Sequence, residues 1–215
     1  MITVKRFAYN PFQVNTYVLH DETNECIIID PGMDGPMEEN ELIGYIESLN
    51  LKPVMLVNTH THIDHVLGNH FVSEKYHLEL AAHQDAEMIL MKAPVYAVNY
   101  GLQLEDPKPV AHYLTEGKDL KFGKSKLKVF HTPGHADGSL CFYSEEDQFV
   151  ITGDVLFYQS IGRTDLPTGD YDVLQQSIWE KLFTLPDETV AYPGHGPETT
   201  IGFEKVNNPF VAIGK

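Results

Sequence analysis

Short apolar runs separated by glycine- and proline-marked turns open the chain, and they predict strands over Ile2–Ala8, Asn15–His20 and Glu25–Asp30. The third contains the unbroken run Cys26-Ile27-Ile28-Ile29, stopped by Asp30-Pro31-Gly32, the pattern of a central strand ending in a turn. Leu42, Ile43, Ile46 and Leu49 recur at helical spacing behind Pro36, predicting a helix over Met37–Leu49. A strand at Val54–Val57 follows, then a helix from about Asp64 to Tyr76, a strand at Leu78–Ala82 and a helix over about Gln84–Tyr100. Turn-forming residues at Gly101–Pro109 mark a midpoint. Beyond it the plan repeats, with strands near Asp119–Phe122, Ser125–His131, Ser139–Tyr143 and Phe149–Ile151, a helix near Tyr171–Thr184, and a last strand at Thr189–Ala191. Two sheet-bearing halves with helices outside each predict an α/β protein of four-layered αββα sandwich type. One domain over residues 1–215 would place its ligands on loops at a sheet edge.

The predicted strand ends carry the chemistry. His60, His62, Asp64 and His65 lie within six residues, directly after Val54–Val57. Eleven histidines in 215 residues make that cluster improbable by chance, so surface histidines that merely fall close together are the weaker reading. Three more ligand types sit in glycine-marked turns: His135 after Pro133-Gly134, Asp154 after Gly153, and His195 after Pro193-Gly194. A single tetrahedral catalytic ion needs three protein ligands, so these seven nitrogen and oxygen donors suit two divalent ions better than one.

Charge narrows the partners. Fifteen basic against 31 acidic residues give a net charge of −16, and no basic stripe is present for a nucleic acid. The stretch Lys118–Lys128 alternates lysines with apolar residues and reads as a solvated strand face. Cys26 and Cys141 each lie in an apolar run, as buried reduced thiols do. No apolar stretch approaches the ~18 residues of a membrane span. Strand-like sequence begins by Ile2, so no secretory signal and a cytoplasmic location are expected.

These motifs resemble the metallo-β-lactamase-fold superfamily, whose pattern is His-x-His-x-Asp-His followed by His, Asp and His. The details are similar to the glyoxalase II-like (hydroxyacylglutathione hydrolase-like) branch, across Thr59–Asn69, His131–Ser139, Gly153–Phe157, Ile161–Asp165 and Pro193–Thr200, with Gly202–Lys205 and Asn208–Phe210 in the tail. The resemblance implies His60, His62 and His135 on one ion, Asp64, His65 and His195 on the other, and Asp154 bridging both with a water. Asp64 and Asp154 thereby acquire catalytic roles. A carboxylate bridge admits zinc first, with iron or manganese as alternatives, whereas thiolate would favour zinc. Penicillin-cleaving zinc members generally use a cysteine at this position, so Asp154 speaks against that activity. Full-length glyoxalase II enzymes carry a further helical domain. Twenty residues follow His195 here, so weaker glutathione recognition is expected.

The resemblance therefore implies a metal-dependent hydrolase of thioesters such as S-lactoylglutathione, acting on a small molecule; the charge and the hydropathy set aside nucleic acid and membrane, and a homo-oligomer stays open. An iron-dependent persulfide dioxygenase and a metal-binding module without catalysis are the alternatives. A thiolate leaving group, with a pKa of about 8.5, needs no dedicated general acid. Asp30 reads either as support for a ligand histidine or as a simple turn residue. His131 is expected to support the ligand loop rather than to ligate. His70, His77, His83 and His112 read as helix-face or loop residues. Arg163 reads either as a substrate-carboxylate contact or as a partner of Asp165. Tyr96 and Tyr100 read either as groove-lining or as helical core packing.

Overall fold

The computed structural model describes residues 1–104 and 106–213. Position 105 of the expected 101–109 loop, and the last two positions of the expected 1–215 domain, lie outside the described residues. The chain divides into two compact units, Met1–Tyr113 with Lys121–Lys126, and Leu114–Leu120 with the residues from Leu127 onward.

The first unit is built on β1 (Thr3–Tyr9), β2 (Val14–His20), β3 (Glu25–Ile29), β4 (Lys52–Val57), β5 (Leu80–Ala82) and β6 (Val110–Tyr113), hydrogen-bonded in that order. Pairing is antiparallel from β1 to β3 and parallel from β3 to β6. Tight turns join the first three strands, whereas α1 (Pro36–Ser48) fills the crossover that the parallel β3–β4 pair requires. Pro36 opens α1, Glu38 and Glu39 lie at its positive end, and Leu42 and Ile46 are buried. Burying two such side chains contributes roughly 1.5–3 kcal/mol each.

The single helix expected over 64–76 is two helices, α2 (Ile63–Val66) and α3 (Asn69–Tyr76). The Gly68 amide donates to the Pro31 carbonyl at 2.7 Å instead of continuing the ladder, and a Cβ at Gly68 would stand 2.9 Å from that oxygen. The helix expected at 84–100 opens as a 3₁₀ turn, Gln84–Ala86, and continues as α4 (Glu87–Asn99). Strand β6 had no sequence signal because three of its four residues are exposed, which erases the alternation. His112, read as a loop or helix-face residue, lies on β6 and pairs with Glu79 at 2.9 Å.

The second sheet contains β7 (Asp119–Phe122), β8 (Ser125–His131), β9 (Leu140–Ser144), β10 (Phe149–Gly153), β13 (Val190–Pro193) and β14 (Thr199–Thr200), in the order β14-β13-β10-β9-β8-β7. A separate ribbon joins β11 (Leu156–Phe157) to β12 (Ser160–Ile161). Strands β10 and β13 run parallel, so their C-terminal ends emerge on the same edge of the sheet. On the β7–β8 hairpin Lys121, Lys124 and Lys126 are exposed while Leu120, Phe122 and Leu127 are buried, the solvated strand face that the alternation predicts.

The helix expected at 171–184 is α-helical only over α5 (Tyr171–Ser177). Ile178–Leu182 widens into a π turn closed by the Phe183 amide on the Ile178 carbonyl, 2.8 Å. Beyond β14, α6 (Ile201–Asn207) is capped by Thr200 and buries Ile201 and Glu204, a pattern too sparse in apolar positions to predict. Glu204 is fully buried and accepts from Thr199 Oγ1 at 2.6 Å and Asn208 Nδ2 at 2.7 Å, which holds α6 to β14. Both cysteines are buried free thiols, and burial pushes each pKa up to about 12. Among the described residues no helix is long and apolar enough to cross a membrane.

Candidate metal centre

In the first unit the donors leave the C-terminal ends of the parallel strands β3 and β4. Asp30 follows β3 in the left-handed region (φ 51°), a conformation Asp tolerates, and is 1% exposed. Its Oδ1 accepts the Thr59 amide at 2.7 Å. Its Oδ2 accepts the Thr59 hydroxyl at 2.6 Å and faces His65 Nδ1 at 3.0 Å. Of the two readings open for Asp30, support of a histidine, His65, is the one that the hydrogen bonds favour. With Nδ1 held outward, His65 presents Nε2, which lies 3.7 Å from Asp64 Oδ2.

The same loop is fixed from three further directions. Asn69 Nδ2 donates to Asn58 Oδ1 (2.7 Å), and Asn58 Nδ2 donates to the His65 carbonyl (3.0 Å). Thr61 Oγ1 donates to the Ala86 carbonyl (2.7 Å), tying the loop to the start of α4. The imidazole rings of His60 and His62 stand 4.8 Å apart and perpendicular, those of His60 and His65 4.1 Å apart. One donor atom each from Asp30, His60 and His65 falls within 4.8 Å of the others.

In the second unit the donors again leave neighbouring parallel strands. Asp154 follows β10, His195 follows β13, and the Gly194 amide donates to the Gly153 carbonyl at 2.7 Å, locking the two turns together. His135 Nδ1 is held by the Arg163 carbonyl at 2.8 Å, so its Nε2 faces Asp154 Oδ2 at 3.6 Å. His195 Nε2 approaches the same oxygen at 3.6 Å. Gly162 supplies the room for this arrangement. A Cβ there would lie 1.9 Å from the Asp154 carbonyl oxygen and 3.0 Å from the His135 ring.

These separations test the fit to divalent ions. Nitrogen–oxygen gaps of 3.6–3.7 Å are too long for hydrogen bonds. Two donors each about 2.1 Å from a shared tetrahedral ion would stand about 3.4 Å apart. Carboxylate donors together with imidazoles, two of them (His65 and His135) oriented by outward bonds on Nδ1, fit zinc, iron or manganese.

Other expected residues lie as follows. His131 Nε2 bonds the Asp137 carbonyl at 2.6 Å and braces the loop that carries His135. Arg163 Nε and Nη2 both donate to Asp165 at 2.7 Å, and this pairing holds the Asp165 carboxyl down at about 2. Tyr96 is partly buried against the core of the first unit. Tyr100 is 53% exposed and meets Phe12 edge to face at 5.4 Å. Sequence reasoning passed over Asn58, Asn69 and Gly162. Asn69 and Gly162 lay inside the recognised motifs, but nothing in the sequence showed which backbone each would meet.

The sequence profile of the Metallo-beta-lactamase superfamily matches residues 9–195. Hydroxyacylglutathione hydrolase GloC of Haemophilus influenzae is 38% identical over 202 residues, covering 93% of each chain. Among solved structures, the BLEG-1 B3 metallo-beta-lactamase superposes with a TM-score of 0.88 at 37% identity, over 98% of this chain and 99% of its own. TTHA1623, in a di-iron-bound form, superposes at 0.87 with 35% identity, over 96% and 100%. A likeness of this extent, on top of the donor pattern, identifies the chain as a member of the metallo-β-lactamase superfamily with that superfamily's fold, a metal-dependent hydrolase by descent.

Proposed function

We propose that this protein is a binuclear hydrolase of thioesters, with S-lactoylglutathione-like compounds as the leading substrate class and the cytoplasm as its location. His60, His62, His135 and Asp154 would hold one divalent ion, and Asp64, His65, His195 and Asp154 the other. The observation that carries the reading is the set of 3.6–3.7 Å nitrogen–oxygen gaps at His65–Asp64, His135–Asp154 and His195–Asp154. Divalent ions held there would acidify water toward neutrality, from a pKa of about 15.7, and polarise a carbonyl.

The chain supplies the geometry. Asp30 and the Arg163 carbonyl hold His65 and His135 with their Nε2 atoms turned inward. Asp154 Oδ2 faces two imidazoles at once and would orient the attacking water. The departing thiolate is stable near neutral pH, so no general acid is required. The hydroxyacylglutathione hydrolase relative supports the thioester reading.

Beta-lactam hydrolysis is the second reading, favoured by the likeness to the B3 metallo-beta-lactamase and opposed by the carboxylate at Asp154. One preparation, analysed for metal content, decides between them, with hydrolysis followed under strict anaerobiosis and oxygen uptake measured separately in air. Expected are two zinc, iron or manganese ions per chain, thioester turnover that His65→Ala cuts severely, and slower attack on a cephalosporin. Oxygen consumption with glutathione persulfide that ignores His65→Ala would replace hydrolysis with dioxygenase chemistry.

A further inference from the structure

We propose that Phe12 and Tyr100 form an apolar wall beside the ligand loop of the first unit, selecting thioesters whose acyl group is neutral and apolar over those carrying a carboxylate. The inference rests on the hydrolase reading and names its substrate class.

The wall is built by Asn10. This residue is 4% exposed, in the left-handed region (φ 56°), and closes its turn through the Gln13 amide, which donates to the Asn10 carbonyl at 3.0 Å. Asn10 Nδ2 donates to the Gly32 carbonyl at 2.8 Å and to the Asp64 carbonyl at 3.0 Å. Its Oδ1 accepts the Phe12 amide at 2.9 Å. One buried side chain thus fastens the backbone of Phe12 to the backbone of Asp64. Phe12 is 39% exposed, and its ring meets that of Tyr100, which caps the C-terminal end of α4. Helix α4 packs against α2, the helix that contains Asp64 and His65.

One ring on a fixed turn joined to the ligand loop and one at the end of α4, both open to solvent, are the kind of surface that apolar ligands cover. The polar environment sharpens the class. Neither the turn Asn10–Gln13 nor the end of α4 from Val98 to Gly101 contains Lys or Arg. Glu38 Oε1 accepts the Asn10 amide at 2.9 Å, which puts a carboxylate behind the turn. These two segments themselves offer a substrate carboxylate no cation, and Glu38 adds a like charge. Met91, Val95 and Val98 are also exposed along α4 at helical spacing, continuing its apolar character.

The test uses N-acetylcysteamine thioesters, one phenylacetyl and one succinyl, with Phe12→Ala, Tyr100→Ala and Phe12→Leu. Expected is a fall of about tenfold in the phenylacetyl-to-succinyl ratio of kcat/KM for either alanine variant, carried by KM, with partial recovery in Phe12→Leu. Ligand-observed NMR with the matching non-hydrolysable thioethers should show the same loss of phenyl-group binding, with metal content unchanged. An unchanged ratio and unchanged thioether binding would overturn the wall. So would a Phe12-dependent shift to a larger species on gel filtration, which would make this face a contact between copies. Phe12-dependent thioether binding without turnover of any thioester would sink the hydrolase reading and leave the wall standing.

Discussion

Replacing Asp30 with Asn changes one atom and should cost the protein its metal before it costs the fold. Asp30 accepts from the Thr59 amide and hydroxyl and holds His65 Nδ1 at 3.0 Å, all within a fully buried pocket. An Asn oxygen can keep the Thr59 amide. Its NH2 group then takes the place of Oδ2 and presents a donor to His65 Nδ1–H. The imidazole escapes this conflict by moving its proton to Nε2, the nitrogen that the proposed metal site would need. Orienting partners of this kind are worth 10–100-fold in metal affinity, about 1.4–2.7 kcal/mol. The stability cost is one weakened charged hydrogen bond plus one strained contact, roughly 1–3 kcal/mol. Asp30→Ala should cost more, because it strands the buried Thr59 amide and hydroxyl together. The assay is zinc competition against a chelating dye on metal-stripped protein, with thermal melting of the same samples. Wild-type zinc affinity in Asp30→Asn at unchanged melting temperature would refute the tautomer argument.

Three further outcomes follow from the same geometry. Asp154→Ala should leave fewer than two ions per chain by elemental analysis and lower thioester turnover at least ~100-fold, with the circular dichroism of the native protein. Gly162→Ala drives a methyl group to 1.9 Å from the Asp154 carbonyl, so it should destabilise by about 1–3 kcal/mol in urea unfolding and loosen metal binding, whereas alanine at the open Gly44 should do neither. Asp21 sits in a polar cage. Burial raises its pKa, but hydrogen bonds from Thr23, the Lys124 amide and Ser125 outweigh this and hold it well below the ordinary carboxylate range. A depressed folded value stabilises the protein above the unfolded pKa of about 3.9 and loses that contribution as pH falls through the folded one. Asp21→Asn should therefore lower the melting temperature at pH 7, and the two proteins' melting curves should converge toward pH 2.

The candidate donors could be singled out in the sequence because strand ends and glycine turns announce themselves through periodicity and backbone chemistry, as at His60 through His65 and the turns at His135, Asp154 and His195. The continuous apolar run Cys26–Ile29 likewise marked β3. The misses share a cause. β6 is an exposed four-residue edge, α6 buries one Ile and one Glu, and neither carries a hydrophobic period. The break between α2 and α3 depends on Pro31, thirty-seven residues before Gly68. No local window contains that contact. Asn10, Asn58 and Asn69 act through carbonyl and amide partners elsewhere in the chain, so their residue types alone suggested only turns.

The order of donors along the chain also sets a timetable for synthesis. Asp30, His60, His62, Asp64 and His65 all precede residue 66, and the sheet that aligns them is complete at Tyr113. His195 is made 130 residues after His65. At the usual elongation speed of about 5–20 residues per second, the first set of imidazoles exists for roughly 7–26 s before the last donor leaves the ribosome. A growing chain therefore carries a histidine-rich loop, with Asp30 already made, well before His195 is added. Metal present during translation would meet these imidazoles before it could meet His195.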